Sequence, residues 1–310
     1  MKAVRGRAGG VEVVEVDPPD GAGELIAIRS VSICASDLRY LAYGTDRILG
    51  HEITGVTQDG TPVIVEGIFG CGDCEYCARG SRNLCRLAGT EIVGCTVDGG
   101  MAEYLRAPRR ALVPIPAGLA VEDASLAEPG GVAWHACRKA GVGPQTRVLV
   151  VGAGAIGLLA VLAALELGAP EVGLVAKHPF QRDLGERFGA TPPSGRYDAV
   201  IEASGNSDGL AEAIALARPQ ATVATVGVFP ADVVWPYRAA FLKEVAVVPS
   251  LGYCEDRGRR EIDRVAMMLA GRPEVVSDLI THRFGLDDAV DAFEVVAARK
   301  PGTVKVIVQV

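Results

Sequence analysis

Short hydrophobic runs separated by turn residues characterise the first hundred residues of the chain. The runs are rich in β-branched residues, and glycine-rich stretches lie between them, which is typical of short β-strands. The clearest runs are VEVVEV, ELIAIRSVSI and TPVIVEGI. This pattern predicts a compact, irregular β domain.

After about residue 146 the pattern changes to buried strands that alternate with helices. The stretch RVLVVGAGAIGLLAVLAALELGA indicates a strand, a tight turn and a helix, and three strands follow, EVGLVA, YDAVIEAS and ATVATVGV. Helices are expected around 182–188, 210–217 and 259–270. Such alternation predicts a doubly wound parallel sheet.

The order of these segments predicts the domain organisation. The parallel sheet is complete before residue 253, so the last part of the chain is expected to return to the first domain. We therefore predict one domain formed by 1–130 and 253–310 and a second domain, 131–252, that contains the parallel sheet.

The composition favours a small-molecule partner. The chain has 310 residues, 49% of them hydrophobic, and a formal net charge of −7, which gives no electrostatic reason to bind nucleic acid or an acidic membrane surface. Its most apolar run contains several glycines, and the first residues lack the apolar core of a secretion signal. We expect a cytoplasmic protein with no nucleic-acid or membrane partner.

Four cysteines lie within fifteen positions in the pattern C-x2-C-x2-C-x7-C. They are Cys71, Cys74, Cys77 and Cys85. In a reducing compartment clustered cysteines are more often metal ligands than disulfides, and four thiolates close the coordination sphere of a structural Zn²⁺. An iron–sulfur cluster and incidental thiols are the alternatives. The remaining cysteines Cys95, Cys137 and Cys254 are assigned to packing.

Gly152, Gly154 and Gly157 form G-x-G-x-x-G between the first strand of the parallel sheet and its helix. In this context the glycines allow a tight turn and let a pyrophosphate approach the backbone at the helix N-terminus. A tight strand-to-helix turn without a ligand is the alternative. The candidate cofactor-binding set is completed by Ile156, Ser204 and Gly227.

The end of the second strand predicts which dinucleotide is bound. Nineteen residues after Gly157, where an acidic residue would hold the ribose 2′-hydroxyl of NAD, stands Ala176, followed by Lys177, His178 and Arg182. Basic groups can pair with a 2′-phosphate, so NADP(H) is favoured over NAD(H). Alternatively these are ordinary surface charges and the protein accepts both cofactors.

Hydride transfer to a nicotinamide requires a group that polarises the substrate oxygen. Three segments supply candidate ligands and acids, namely ICASDLRY, GHEITG and LAEPGGVAWHA. Their candidate residues are Cys34, Ser36, Asp37, His51, Glu52 and Glu128. Together they offer a thiolate, an imidazole and carboxylates, which suit a second Zn²⁺ with an open position for substrate.

Read in order, GHE, the four-cysteine segment, DGGMAEYLRAP, AEPGGVAWHA, GAGAIG, YDAVIEASG and LITHRFGLDDAVDAFE resemble the zinc-dependent medium-chain dehydrogenase/reductase superfamily. The tripeptide AEP resembles the corresponding motif in the polyol branch of this superfamily, which includes sorbitol, threonine and butanediol dehydrogenases. The resemblance implies a GroES-like catalytic domain and a Rossmann domain. It also implies a zinc-dependent, NAD(P)-dependent alcohol dehydrogenase with two zinc ions per chain, acting on a secondary alcohol or polyol or the corresponding ketone or aldehyde, as a homodimer or homotetramer.

The resemblance also implies roles for individual residues. Cys34 and His51 match the first two ligands of the catalytic zinc. Glu52 and Glu128 match carboxylates that bind the metal or its water, and which of the two binds the zinc stays open. Ser36 matches the hydroxyl that passes on the substrate proton. Asp37 matches an acid that orients the zinc histidine, and Lys305 matches a base that meets the cofactor pyrophosphate.

The chain departs from the family pattern at three places. Arg39 stands where relatives often continue the proton relay with a histidine, and the segments TQDGTPVIVEGI and GATPPSGRYDAV are shortened. Two other functions stay open. One is a zinc-free quinone or enoyl reductase of the same fold, and the other is an NADP(H)-binding protein without turnover.

Overall fold

The computed structural model describes residues 1–229 and 232–310. The chain divides into two compact units, Met1–Glu128 with Tyr253–Val310, and Pro129–Gly252. In this described part no helix is long and apolar enough to cross a membrane.

Strands and helices are numbered along the chain. The strands are β1 (Lys2–Arg7), β2 (Gly10–Glu15), β3 (Glu24–Ser32), β4 (Glu52–Thr57), β5 (Pro62–Val65), β6 (Tyr104–Ala107), β7 (Leu112–Pro114), β8 (Arg147–Val151), β9 (Glu171–Val175), β10 (Tyr197–Glu202), β11 (Ala217–Thr225), β12 (Ala246–Pro249), β13 (Glu255–Asp256), β14 (Arg259–Arg260), β15 (Ile280–Gly285) and β16 (Lys305–Gln309). The helices are α1 (Ala35–Ala42), α2 (Glu75–Ala78), α3 (Ala127–Lys139), α4 (Ala155–Glu166), α5 (Pro179–Arg187), α6 (Ser207–Leu216), α7 (Tyr237–Lys243), α8 (Glu261–Ala270), α9 (Pro273–Leu279) and α10 (Ala289–Ala298). Short 3-10 helices lie at Arg82–Leu84, Arg109–Ala111, Ala124–Leu126 and Leu286–Asp288.

The first unit is built on a seven-stranded sheet in the order β15-β16-β3-β4-β5-β7, with β6 also paired to β3. β3 is mostly apolar, and Ile26, Ile28 and Val31 are buried in the core. Its antiparallel register with β4 pairs Ser32 with Glu52. This pairing brings the end of β3 and the start of β4 together, where most of the candidate catalytic residues lie.

The second unit contains a five-stranded parallel sheet in the order β12-β11-β10-β8-β9. Its central strands are apolar on both faces; Leu149 and Val200 are fully buried. The predicted α/β class, an irregular β unit with a doubly wound parallel sheet, is confirmed.

Several elements differ from the sequence prediction. Helix α5 begins at Pro179 rather than near residue 182, because proline suits the first position of a helix. Helix α8 begins at Glu261, because Arg259–Arg260 form strand β14. The edge strand β12 was not predicted, because a four-residue apolar run is too short to be distinguished by its period. Helix α6 begins at Ser207 rather than near residue 210, since the Asn206 side chain accepts a hydrogen bond from Gly209 N and caps the helix. Ala217 lies in β11 and not in the helix.

Candidate functional site

Cys34, Ser36 and Asp37 are brought together by the start of helix α1. Cys34 is the N-cap residue, and its backbone N–H donates to Asp37 Oδ2 at 2.9 Å. An acidic residue at the third helical position closes the turn in this way and is stabilised by the helix dipole. The Asp37 side chain is fully buried, so its carboxylate is held in one place.

His51 meets this turn from the residue before strand β4. Its Nδ1 lies 3.3 Å from Asp37 Oδ1, and its Nε2 lies 3.3 Å from Ser36 Oγ. Burial lowers the pKa of His51, but the charges of Asp37 and Cys34 raise it to a net value well above the ordinary one. Asp37 therefore holds the ring with its Nδ1 proton directed at a carboxylate, which leaves Nε2 for a ligand.

The ligand atoms of Cys34, His51 and Glu52 lie within 4.8 Å of one another. A sulfur, a nitrogen and an oxygen donor are the ligand types that zinc takes in open sites with three protein ligands. The residues present therefore fit a zinc ion.

Glu52 is fully buried and makes an ion pair with Lys305. The Nζ atom of Lys305 lies 2.6 Å from the carboxylate, and the hydroxyl of Ser32 donates to Oε2. Burial lowers the pKa of Lys305, but the attraction of Glu52 raises it to a net value above the ordinary one. In the structure the ammonium group of Lys305 lies against the Glu52 carboxylate, and its contact with a pyrophosphate, which the resemblance implies, stays a prediction.

Glu128 lies in the first turn of α3 and is 7% exposed. Burial raises the pKa of Glu128 to about 7. Two smaller effects are the attraction of His51, which lowers this pKa, and the repulsion of Glu52, which raises it. A carboxyl group with such a pKa can gain or lose a proton at neutral pH.

Cys95 was assigned to packing, but its Sγ lies 3.7 Å from His51 Nδ1. Burial raises the pKa of the Tyr40 phenol, and the neighbouring Cys95 thiol raises it further. Sequence reasoning missed this contact because Cys95 lies 44 residues from His51 and belongs to no local motif.

The four clustered cysteines converge in the segment around α2. Cys71 Sγ and Cys77 Sγ lie 4.0 Å apart, and Cys74 Sγ and Cys85 Sγ lie 3.8 Å apart. A tetrahedron with Zn–S bonds of about 2.3 Å has edges of about 3.8 Å, so these distances fit one zinc ion. The backbone N–H of Cys77 lowers the pKa of Cys74 to about 6, against the effect of burial, which favours the thiolate that a metal requires. All eight cysteines are free of disulfides.

In the second unit, the G-x-G-x-x-G turn lies between β8 and α4. Gly152 has φ of +99°, which a residue with a Cβ rarely adopts. A Cβ at Gly157 would collide with the carbonyl oxygen of Gly152. Gly154 caps α4, and Ile156 lies in its first turn. This is the geometry in which a helix N-terminus receives a pyrophosphate.

Apart from Lys305, which lies in the first unit, the other predicted cofactor residues lie at the same edge of the parallel sheet, after the carboxyl ends of its strands. Lys177, His178 and Arg182 follow β9 and begin α5, and Lys177 and Arg182 are exposed. Ser204 follows β10, and Gly227 follows β11. Ligands of open α/β sheets bind at this edge.

Comparison with known proteins identifies the family. The family model described as the alcohol dehydrogenase GroES-like domain matches residues 21–117. A protein of Arthroderma otae described as D-xylulose reductase A is 30% identical, over 91% of this chain and 88% of its own length. The chain belongs to the zinc-dependent medium-chain dehydrogenase/reductase superfamily. It is an oxidoreductase of the alcohol dehydrogenase-like, polyol dehydrogenase branch.

Other relatives of the superfamily cover almost the whole chain. L-threonine 3-dehydrogenase of Pyrococcus furiosus is 29% identical, over 95% of this chain and 94% of its own length. Among solved structures, galactitol-1-phosphate dehydrogenase from Escherichia coli has a TM-score of 0.88 at 26% identity and covers 99% of both chains. A zinc-binding dehydrogenase of Sinorhizobium meliloti 1021, so described in a structure bound to NADP, has a TM-score of 0.87 at 28% identity. That match covers 100% of this chain and 99% of the other. The GroES-like and Rossmann parts of the fold prediction are thereby confirmed.

Proposed function

We propose that the protein is a zinc-dependent, NADP(H)-preferring dehydrogenase that interconverts a secondary alcohol or polyol and its ketone or aldehyde. The observation that carries the proposal is the convergence of Cys34, His51 and Glu52 within 4.8 Å in the first unit. The second unit adds the glycine turn at the carboxyl end of β8. The first arrangement suits activation of an oxygen, and the second suits binding of a dinucleotide.

The metal site is assigned to Cys34, His51 and Glu52, with Glu128 beside them. A bound zinc ion supplies Lewis-acid polarisation of the substrate oxygen. Asp37 keeps the His51 ring in one tautomer and orientation. Lys305 offsets the charge of Glu52, which limits the repulsion between that carboxylate and a thiolate at Cys34. Glu128, with its pKa of about 7, is the carboxyl group suited to exchange protons near the metal.

Ser36 is proposed to accept the substrate proton and pass it on. Its half-buried hydroxyl lies 3.3 Å from His51 Nε2 and so stands beside the assigned metal ligand. A hydroxyl can accept one proton while donating another, which a relay requires.

The preference for NADP(H) is supported by the charges after strand β9. Lys177 and Arg182 are exposed, and Ala176 stands where an acidic residue would repel a 2′-phosphate. The similar dehydrogenase of Sinorhizobium meliloti was solved with NADP.

Two zinc ions per chain, a reducing cytoplasmic location and a homo-oligomer complete the proposal. The four-cysteine cluster supports the second zinc, and the free thiols support the location. Strand β12 is an edge strand of the parallel sheet, and apolar side chains of the same unit are exposed nearby in sequence, among them Trp235, Phe241 and Leu242. A second copy would cover such a surface, so sedimentation should give a dimer or tetramer rather than a monomer.

A panel of secondary alcohols, polyols and amino alcohols, assayed in parallel with NADP⁺ and NAD⁺, tests the proposal. The expected result is zinc-dependent oxidation of at least one class of alcohol, with a higher kcat/KM for NADP⁺. Turnover of a quinone or enone by zinc-free protein would favour the zinc-free reductase instead. Cofactor binding with no turnover on any class would favour a non-catalytic protein.

A further inference from the structure

A buried carboxylate lies beneath the loops of the second unit that we assign to the cofactor. Glu202 is the last residue of the central strand β10, and its side chain is fully buried. The last backbone hydrogen bond between the end of this strand and β8 is donated by Ala203 N to Val151 O at 2.8 Å. Beyond it the chain leaves the sheet, so the next amide groups need another acceptor.

The Glu202 side chain supplies that acceptor. Its Oε1 accepts hydrogen bonds from Ser204 N at 2.8 Å and from Gly205 N at 3.0 Å, and it also accepts one from the Ser204 hydroxyl. Burial raises the pKa of Glu202, and the hydrogen bonds from Ser204 and Gly205 oppose this. The turn after β10 is therefore fixed by one carboxylate oxygen.

The turn that Glu202 fixes touches the glycine turn after β8. A Cβ on Gly152 would lie 2.8 Å from Ser204 N. The backbone of Ser204 thus forms the surface against which the first glycine of G-x-G-x-x-G packs. A displacement of Ser204 would be transmitted to the turn assigned to the pyrophosphate.

The same residue holds the loop after β11. The carbonyl oxygen of Glu202 accepts from Val226 N at 2.9 Å and from Gly227 N at 3.0 Å. The side-chain Oε2 of Glu202 has no hydrogen-bond partner among the described residues. It packs so closely on Gly227 that a Cβ added to Gly227 would lie 2.9 Å from it. The loops at the carboxyl ends of β10 and β11 therefore meet at Glu202, and the loop after β8 packs against Ser204, which Glu202 holds.

We propose that Glu202 is a positioning residue for the cofactor, acting through Ser204, Gly205 and Gly227 rather than by touching the cofactor itself. The inference rests on the proposed cofactor-binding function. It assigns to Glu202 a role in affinity for the nicotinamide dinucleotide that is separate from its contribution to folding.

The test compares Glu202→Met, Glu202→Gln and Tyr197→Phe in the full-length, zinc-replete protein. Methionine has a similar volume but no oxygen acceptor, whereas glutamine keeps one acceptor oxygen for Ser204 N and Gly205 N. Tyr197 lies at the opposite end of the same strand, is fully buried and accepts a hydrogen bond from Ser194 N at 2.8 Å. Tyr197→Phe therefore removes a partly buried hydrogen bond from the same strand without touching the three loops.

NADPH affinity is measured by fluorescence titration at a temperature where circular dichroism shows each variant folded. Glu202→Met should bind NADPH about ten- to a hundredfold more weakly, since two partly buried amides lose their acceptor. Glu202→Gln should stay within about threefold of the wild type, and so should Tyr197→Phe even where its melting temperature falls. Unchanged affinity in Glu202→Met, or an equal loss in Tyr197→Phe, would overturn the assignment. A wild type that binds neither NADPH nor NADH would overturn the proposed function itself.

Hydrogen exchange of the cofactor-free wild type gives a test that does not depend on any variant folding. The amides of Ser204 and Gly205 should exchange slowly, because both are held by Glu202 before a cofactor arrives. Exchange at the rate of an unprotected loop would show that the anchor is absent and would overturn the assignment.

Discussion

Replacing Glu66 by glutamine should remove a large part of the pH dependence of stability in the first unit. Glu66 follows strand β5 and is 2% exposed. Its Oε2 lies 3.5 Å from Arg260 Nη1 and 3.9 Å from Arg82 Nη1, which is too far for good hydrogen bonds. Burial raises the pKa of Glu66 from the ordinary 4.5 to about 7; the two arginines oppose this shift, and Glu255 adds to it.

The sign and size of the effect follow from this pKa. Between about pH 4.5 and about pH 7 the unfolded chain has released the proton of Glu66, whereas the folded chain retains it. The stability that protonated Glu66 contributes is therefore fully present below about pH 4.5, and it is lost as the pH rises through about 7. A shift of this size corresponds to roughly 3 kcal/mol in the free energy of unfolding.

Urea unfolding followed by far-ultraviolet circular dichroism, repeated across this pH window, measures the effect. As the pH rises, the free energy of unfolding of the wild type should fall by roughly 3 kcal/mol relative to that of Glu66→Gln, because glutamine does not titrate. Glu255→Gln is the matched control, because Glu255 also pairs with Arg82 but is more exposed. The same pH slope in Glu66→Gln and wild type would show that Glu66 does not titrate with a raised pKa, and loss of the slope in Glu255→Gln would assign the slope to Glu255 instead.

Two further predictions concern the cofactor and the proton. The double substitution Lys177→Ala, Arg182→Ala should reduce the preference for NADP⁺ over NAD⁺ in kcat/KM by roughly 1–3 kcal/mol, the range of a charge-assisted contact. Arg187→Ala, in the last turn of the same helix, should leave the preference intact, and equal use of both cofactors by the wild type would contradict the assignment. Ser36→Ala should lower kcat by about 10²- to 10⁴-fold with zinc content and cofactor affinity unchanged, whereas Ser36→Thr, which keeps the hydroxyl, should retain most of the rate. Near-wild-type turnover of zinc-loaded Ser36→Ala would show that another group carries the proton.

Features that depend on neighbouring residues could be predicted from the sequence. The strand, turn and helix around Gly152 follow from local hydrophobic period and glycine spacing, and the parallel sheet could be inferred from their repetition. The four clustered cysteines lie so close in sequence that their convergence needs only one loop.

Contacts between distant segments were not predictable in the same way. Lys305 lies 253 residues from Glu52, and nothing in the local pattern of either residue indicates that they form a buried pair. Cys95 near His51 and Glu202 beneath the cofactor loops depend equally on how the strands are paired. A glutamate that ends an apolar strand is the one signal that could have identified Glu202, because a buried carboxylate needs donors.

The proposed catalytic zinc in the first unit, in addition to the structural one, can be counted directly. Metal analysis by mass spectrometry, combined with the alcohol oxidation assay, is applied to the wild type, Cys34→Ser and Cys74→Ser. We expect two zinc ions per chain in the wild type. We expect one in Cys34→Ser, with NADPH binding kept and alcohol oxidation lost, and one or fewer in Cys74→Ser, with reduced stability. A wild type with a single zinc ion that Cys34→Ser leaves in place, or full alcohol oxidation by Cys34→Ser, would show that Cys34 holds no catalytic zinc.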